Sequence, residues 1–302
     1  MGRYDYVDYV SLTMEFRCNL RCVHCMIEGT MDRLEEEPRE TFDRILIENA
    51  RDRKWSGLIL TGSEITLNKE LPELARAARN NGFDHVRIQT HGMRLAQESY
   101  LAELIDAGVD EFFVSVAGCD AASHDAITEV PGSFEKTVHG LENLEKYPGV
   151  TSITNSVVTA ESYQLLPRIV QALEHLKRLS QMEFWIYWPM NEDDVKGLIP
   201  NHLTILPHLM KAIDMARSRG REVEVKNYPE CLLGSERRAL DNSQPQLFID
   251  PDFWKEFEKN GFFQCVYMDE CASRTCLGLN TAYIKKYGLH ENELEPLPPL
   301  ED

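Results

Sequence analysis

Residues 9–25 read YVSLTMEFRCNLRCVHC, a strand-like run followed by three cysteines, Cys18, Cys22 and Cys25, at intervals of four and three. Thiolates are soft ligands suited to zinc, copper(I) or an iron–sulfur cluster. A structural zinc site wants four closed ligands, and the adjacent His24 offers a fourth only with awkward backbone geometry. A cubane [4Fe–4S] cluster on three thiolates instead leaves one iron open to a substrate or cofactor. The scaffold on which this loop hangs decides between these readings.

Working outward, short apolar runs alternate with amphipathic helical patterns from residue 7 to about residue 190. GLILTG (57–62), HVRIQT (85–90), EFFVSVAG (111–118), SITNSVVT (152–159) and MEFWIYWPM (182–190) read as strands after the first. TFDRILIENARD, LPELARAARNNG, QESYLAELIDAG, SFEKTVHGLENL and YQLLPRIVQALEHLKRL read as the helices between them, with Ser133 a candidate N-cap. In the fourth strand Phe112, Val114 and Val116 share one face while Ser115 points to the other. Six β units alternating with helices predict an α/β fold with a parallel sheet, curved into an open barrel or laid flat. Reactive groups in such folds gather at the carboxyl ends of the strands. TGSE, THG, SVAGCD, TNS and YWPMNEDD all fall there. After the helix LTILPHLMKAIDMARSRG the pattern breaks, which places a boundary near residue 220 between a 1–220 domain and a small irregular 221–302 extension. Its tail, ENELEPLPPLED, is too acidic and proline-rich to be expected to pack.

Composition narrows the partners. With 32 basic against 50 acidic residues in 302, a formal charge of −18 repels a phosphate backbone, so no nucleic-acid partner is expected. An acidic surface serves solubility or attracts cationic small molecules and peptides. No apolar run approaches the roughly 20 residues of a bilayer span, and MGRYDYVDYV lacks a basic or apolar signal region, which predicts a cytoplasmic protein without membrane contact. Eight cysteines without a secretion signal point to metal binding or chemistry rather than a disulfide framework.

The C-x3-C-x2-C loop after the first strand, with TGSE (61–64) after the second, resembles the radical S-adenosylmethionine (radical SAM) superfamily over residues 7 to about 190. The resemblance implies a partial (β/α)6 TIM-like barrel and a [4Fe–4S] cluster on Cys18, Cys22 and Cys25 whose open iron chelates SAM. It further implies an external electron donor such as flavodoxin or ferredoxin, and a 5′-deoxyadenosyl radical that takes hydrogen from substrate. Carried over position by position, Gly62, Ser63 and Glu64 meet the SAM amino group by backbone and carboxylate contacts. Ser115 and Asn155 touch its ribose or carboxylate, and His24 stacks over adenine. For Ser115 and Asn155 the alternative is a polar residue filling a barrel interior.

A second set, Cys231, Cys265, Cys271 and Cys276, suits zinc or a fully ligated [4Fe–4S] cluster. The resemblance favours iron, in a twitch- or SPASM-like auxiliary-cluster extension placed to accept an electron from a substrate radical. At the sixth strand, Tyr187 and Trp188 are followed by Glu192, Asp193 and Asp194, an aromatic wall with carboxylates suited to a cationic aminocyclitol or amino sugar; a solvated acidic loop is the alternative. Cys119 stands alone, as a small buried hydrophobe or as a thiol that donates hydrogen to a radical, a part Cys265 shares if the second cluster has fewer ligands. Radical oxidation of a polar small molecule is therefore the expected function, with epimerisation next. Modification of a ribosomal peptide is disfavoured because the barrel fills the N-terminal side. A non-catalytic iron–sulfur or zinc protein is the remaining class.

Overall fold

The computed structural model describes residues 8–25, 33–190, 192–273 and 275–298. The six expected strands form as β1 (Tyr9–Thr13), β2 (Gly57–Thr61), β3 (His85–Thr90), β4 (Glu111–Ser115), β5 (Thr151–Val158) and β6 (Leu179–Ile186). Between them lie α1 (Arg39–Asp52), α2 (Leu71–Asn80), α3 (Glu98–Asp106), α4 (Ala121–Thr128), α5 (Ser133–Leu144) and α6 (Leu166–Ala172), and α7 (His202–Arg217) follows. Two strands that sequence periodicity did not supply, β7 (Glu222–Lys226) and β8 (Gln246–Phe248), add to the two edges. Among the described residues the sheet is wholly parallel, in the order β7-β6-β5-β4-β3-β2-β1-β8.

That order decides between a flat sheet and a barrel. A doubly wound sheet reverses direction at a switch point, whereas here β1 to β7 run without reversal. Right-handed crossovers then place every connecting helix on one side, leaving one helix-covered face and one inner face, an open partial barrel. Alternation within each strand sorts the residues. Val10, Leu12, Leu58, Leu60, Val86, Ile88, Phe112, Val114 and Val116 join one apolar core with Phe42, Ile45, Leu74 and Leu101 of the helices. The intervening positions form the inner face. Across β4 to β7 the register sets Ser115 opposite Asn155, Asn155 opposite Glu183 and Glu183 opposite Glu224.

Three local expectations change. Gly132, at φ 79°, is the N-cap of α5, and Ser133 is its first residue, its Oγ donating to Asp125 Oδ1 (2.9 Å). The sixth helix is cut to Leu166–Ala172 because Leu179 already belongs to β6. Its proline, Pro167, sits in the first turn, where no amide hydrogen is required. The acidic tail does pack in its described part. Leu294 is buried, and Leu297 O accepts from Ala272 N–H (2.9 Å), so two leucines anchor what the charge pattern left loose.

The boundary expected near residue 220 falls between α7 and β7, and the sheet runs across it. Beyond β8, α8 (Pro251–Phe257) and α9 (Thr281–Tyr287) flank the cysteine-bearing stretch. A second apolar cluster of Tyr187, Leu198, Ile199, Leu279, Ala282 and Tyr283 ties this stretch to the carboxyl end of β6. No helix among the described residues is long and apolar enough to cross a membrane.

Candidate functional site

The loop leaving β1 is fixed at both ends by backbone hydrogen bonds. Met14 N–H donates to Thr61 O (2.8 Å), while Ser63 N–H reaches Glu15 O (2.8 Å) and Glu64 N–H reaches Arg17 O (3.1 Å), so the segment after β2 runs beside the segment before the cysteines. Further on, Arg21 and Val23 N–H groups donate to Thr128 O (3.0 Å) and Ile127 O (2.9 Å), carbonyls that the end of α4 leaves without helical partners. Gly62 is required at this crossing. Its φ is 156°, and a Cβ would stand 1.8 Å from the Glu15 carbonyl oxygen.

Cys18, Cys22 and Cys25 lie half-buried on this loop. Burial pushes the Cys18 thiol up to about 11, and burial with the repulsion of Cys25 and Cys18 pushes Cys22 up to about 12. Thiolates crowded this way are stable only beside a compensating cation. Leu20 N–H already donates to Cys18 Sγ (3.4 Å), a contact of the kind that tunes cluster sulfurs. This donor set fits a [4Fe–4S] cluster on three thiolates. His24 is half-buried and kept neutral by burial and the nearby Lys196 charge, with its value near 4. Lys196 Nζ itself donates to Val23 O (3.0 Å).

Glu64 has protein partners that the sequence did not supply. Its carboxylate is fully buried, caps the single 3-10 turn Ile65–Leu67, and accepts from Thr66 N–H (3.0 Å), Thr90 Oγ1 (2.6 Å) and His91 N–H (2.8 Å). In this arrangement it organises the loops after β2 and β3 and lies close enough to Cys18 to repel its thiolate, while the backbone of Ser63 runs beside the segment before the cysteines. His91 extends the anchor. Burial lowers its pKa, and Met93 N–H donates to its Nδ1 (3.2 Å), so the neutral ring carries hydrogen on Nε2. That N–H points at Asn19 Oδ1 (2.7 Å), with Glu64 Oε2 at 3.1 Å. A buried carboxylate thus holds the cysteine loop through one histidine, a role sequence reading missed although it marked the THG stretch as unusual.

Ser115 is exposed at the end of β4 and Asn155, its register partner, is 6% exposed with Oδ1 lacking a hydrogen-bond partner. Both lie on the strand face opposite Phe112, Val114 and Val116. Sequence reading also missed the charged residues beside them. Arg87 Nε donates to Glu111 Oε2 (2.8 Å), Glu183 accepts from Gln181 Nε2 (2.9 Å) and Trp185 Nε1 (2.6 Å), and Lys226 Nζ lies 3.6 Å from Glu224 Oε2. The strand EVEVK alternates as a strand should, but its charges resemble a solvated surface.

The second cysteine set comes together. Cys231, Cys265, Cys271 and Cys276 all line one cavity with Pro229, Tyr267 and Leu294. Burial raises Cys231 and Cys276, and backbone N–H groups of Gly278 and Leu297 donate to Cys276 Sγ and Cys271 Sγ (3.4 Å each). Cys265 therefore belongs with the other three. Cys119 lies apart, in the apolar core beside the capping turn of α4, its Sγ 3.6 Å from Asp120 Oδ2 and Ser123 Oγ. The helix side of the sheet, not the inner face, receives it.

The mouth residues are also differently used. Trp188 is buried and stacks on Phe262 (centroids 5.1 Å, 21° between planes), so it fastens the C-terminal stretch instead of lining an open wall. Lys285 pairs with Glu192 and Asp193 (3.0 Å each), and Asp194 accepts from Leu198 N–H (2.9 Å), Ile199 N–H (3.0 Å) and Lys286 Nζ (2.7 Å). Two lysines of α9 thus pair with all three carboxylates of the run. Asp194→Asn is accordingly expected to lower stability by about 2 kcal/mol, because a buried charge-assisted set is broken. Thermal melting checks it, and an unchanged melting temperature would return these carboxylates to the surface reading.

The family model for the radical SAM superfamily matches residues 14–173. The chain is similar to Fe-coproporphyrin III synthase of Methanosarcina barkeri, 26% identical over 231 residues that cover 76% of this chain and 55% of that protein. It is also similar to the probable GTP 3′,8-cyclase of Methanopyrus kandleri, 31% identical over 196 residues, 64% of this chain and 60% of that protein. The chain thus spans little more than half the length of these relatives. Native anSMEcpe, solved with bound AdoMet and a Kp18Cys peptide, superposes with a TM-score of 0.57 at 16% identity, covering 72% of this chain and 63% of that one. At such identity the likeness shows the fold, here the open partial barrel.

Proposed function

The chain belongs to the radical SAM superfamily, and from that premise we propose that it abstracts hydrogen from a polar small molecule held on the inner face of the barrel and oxidises it. The observation that carries the oxidative reading is the cavity shared by Cys231, Cys265, Cys271 and Cys276, a complete four-thiol set beside the barrel mouth. When loaded, the first cysteine loop with SAM supplies a hydrogen-abstracting carbon radical and the second a one-electron acceptor. The family implies the first cluster and SAM, and a reductant to start the reaction; the auxiliary cluster and the oxidation are this proposal's own.

The protein's residues supply placement. Cys18, Cys22 and Cys25 hold the first centre, Gly62 and Ser63 present backbone beside it, and Ser115 and Asn155 offer polar contacts from the neighbouring strands. Glu64 and His91 keep these loops in register. Epimerisation through Cys119 loses support because that thiol packs in the apolar core, and through Cys265 because it sits among three other cysteines. The aminocyclitol or amino-sugar class stays compatible with the acidic inner face. The relatives named for tetrapyrrole and nucleotide chemistry offer a second direction, in which the substrate is a heterocycle with ionised side groups.

Metal analysis and isotope labelling together test the reading. Anaerobically purified protein is expected to hold about eight irons and, once reduced with SAM and given a turned-over substrate, to yield a carbonyl product without solvent deuterium, with Cys119→Ala still active. Stoichiometric zinc at the second site, or one solvent deuterium at an inverted carbon, overturns it.

A further inference from the structure

The inner face carries an unbalanced set of buried charges. Glu111 is satisfied by Arg87 and by the Tyr9 hydroxyl, which donates to its Oε1 (3.1 Å). Beside them stand two more carboxylates, Glu183 and Glu224, at 1% and 8% exposure, and among the described residues the cations that attract both are Lys226 and Arg87. Three carboxylates, Glu111, Glu183 and Glu224, against two cations, Arg87 and Lys226, in a buried place leave a charge that a proton or a cationic ligand must cancel. Two acceptors of the same row accept no hydrogen bond: Asn155 Oδ1, register partner of Glu183, and Glu224 Oε2, which has the Lys226 ammonium 3.6 Å away. Neither oxygen can be satisfied by an anionic or purely accepting ligand.

The row has an exposed end and an aromatic side. The row opens at the exposed Ser115, and the half-buried Trp185 stands beside it with Phe113 at 5.6 Å between ring centroids. Trp185 Nε1 donates to Glu183, which leaves its ring face as a wall, and Lys226 lies 5.9 Å from the ring centroid. Aromatic faces beside carboxylates favour an ammonium or guanidinium over a neutral donor.

We propose that Asn155, Glu183 and Glu224 form a subsite for a cationic, hydrogen-donating group of the substrate, a primary ammonium or a guanidinium. This rests on the reading that substrate lies on the inner face; it gives Asn155 to the substrate rather than to SAM, and it replaces the acidic loop 192–194 as the place where positive charge is recognised. Without ligand the pair keeps a proton. Burial first, and then the Glu183 charge, push Glu224 up to about 8 against the pull of Lys226, with Asp241 adding repulsion and Arg87 attraction. Burial likewise raises Glu183, against Lys226 and Arg87. A cation docking there expels that proton.

Isothermal titration calorimetry of the reconstituted holoenzyme with n-butylammonium, and with n-butanol as the neutral match, decides the matter at constant ionic strength. The amine itself stays charged below its own pKa of about 10.4, so the protein alone sets the profile. Affinity is expected to tighten about tenfold per pH unit up to about 8 and then level, with about one proton released per amine bound on the acid side. Butanol should not bind. Glu224→Gln should weaken the amine at least about tenfold and flatten the profile, while Glu224→Asp keeps the slope. A pH-independent affinity without proton release in the unmutated protein, or equal binding of butanol, overturns the subsite even if the variants fail to fold. Amine binding as described in a protein that never cleaves SAM on reduction would retire the functional reading and leave the subsite standing.

Discussion

Replacing Cys18, Cys22 and Cys25 together with alanine is expected to abolish reductive SAM cleavage, a loss of at least about a thousandfold, and to cut bound iron from about eight to about four atoms. All three side chains are half-buried on a loop and outside the apolar core, so the fold should survive and circular dichroism should be unchanged. The loop's own anchors are backbone bonds to Thr128 and Ile127 and the His91 contact to Asn19, none of which uses a thiol. Iron that persists at the original stoichiometry, or cleavage at the unmutated rate, would sink the assignment of the first centre.

The second large effect is expected at Gly62. Gly62→Ala forces a methyl group against the Glu15 carbonyl, where the available gap is 1.8 Å and the obstacle is backbone that cannot rotate aside. Strain and overpacking together cost about 2–4 kcal/mol. Because Ser63 N–H donates to that same carbonyl, relief of the clash opens the contact between the loop after β2 and the loop bearing the cysteines. SAM affinity should therefore fall by about a hundredfold or more, as about 2.7 kcal/mol of misplacement implies, and the melting temperature should drop by several degrees. Equilibrium binding of SAM to the loaded protein measures the first and calorimetry the second. A variant that melts lower yet binds SAM normally would show that the crossing supports the fold and not the ligand.

Much of the scaffold could be read from periodicity, since HVRIQT and SFEKTVHGLENL form the strand and helix expected over those same residues. What escaped had physical causes. β8 is three residues, QLF, too short for alternation to register, and its existence depends on the free edge of β1. β7 places Glu222, Glu224 and Lys226 on the face opposite Val223 and Val225, and charged alternation reads as surface unless the concave inner face is known. The three-cysteine loop was legible because its ligands are local in sequence. Glu64 was legible as a conspicuous position but not in its partners, since the donors it accepts from on Thr90 and His91 stand 26 and 27 residues later. Trp188 and the 192–194 carboxylates were misread for a related reason. Their partners, Phe262, Lys285 and Lys286, lie in a stretch with no periodicity to place it.

The parallel pairing of β8 with β1 has a consequence in time. Val10 meets Gln246, and Glu35 N–H donates to Asp250 Oδ2 (2.7 Å), so the strand that carries the cysteine loop gains its second neighbour only from chain made about 236 residues later. At a translation rate of about 5–20 residues per second that delay is about 10–50 s. Through this interval the nascent polypeptide displays an unpaired edge whose amides and carbonyls accept any passing strand. Yield in a fast-translating host should thus be limited by chaperone capacity rather than by the stability of the finished molecule, and slower synthesis at lower temperature should lengthen the exposure even as it lowers the number of chains exposed at once.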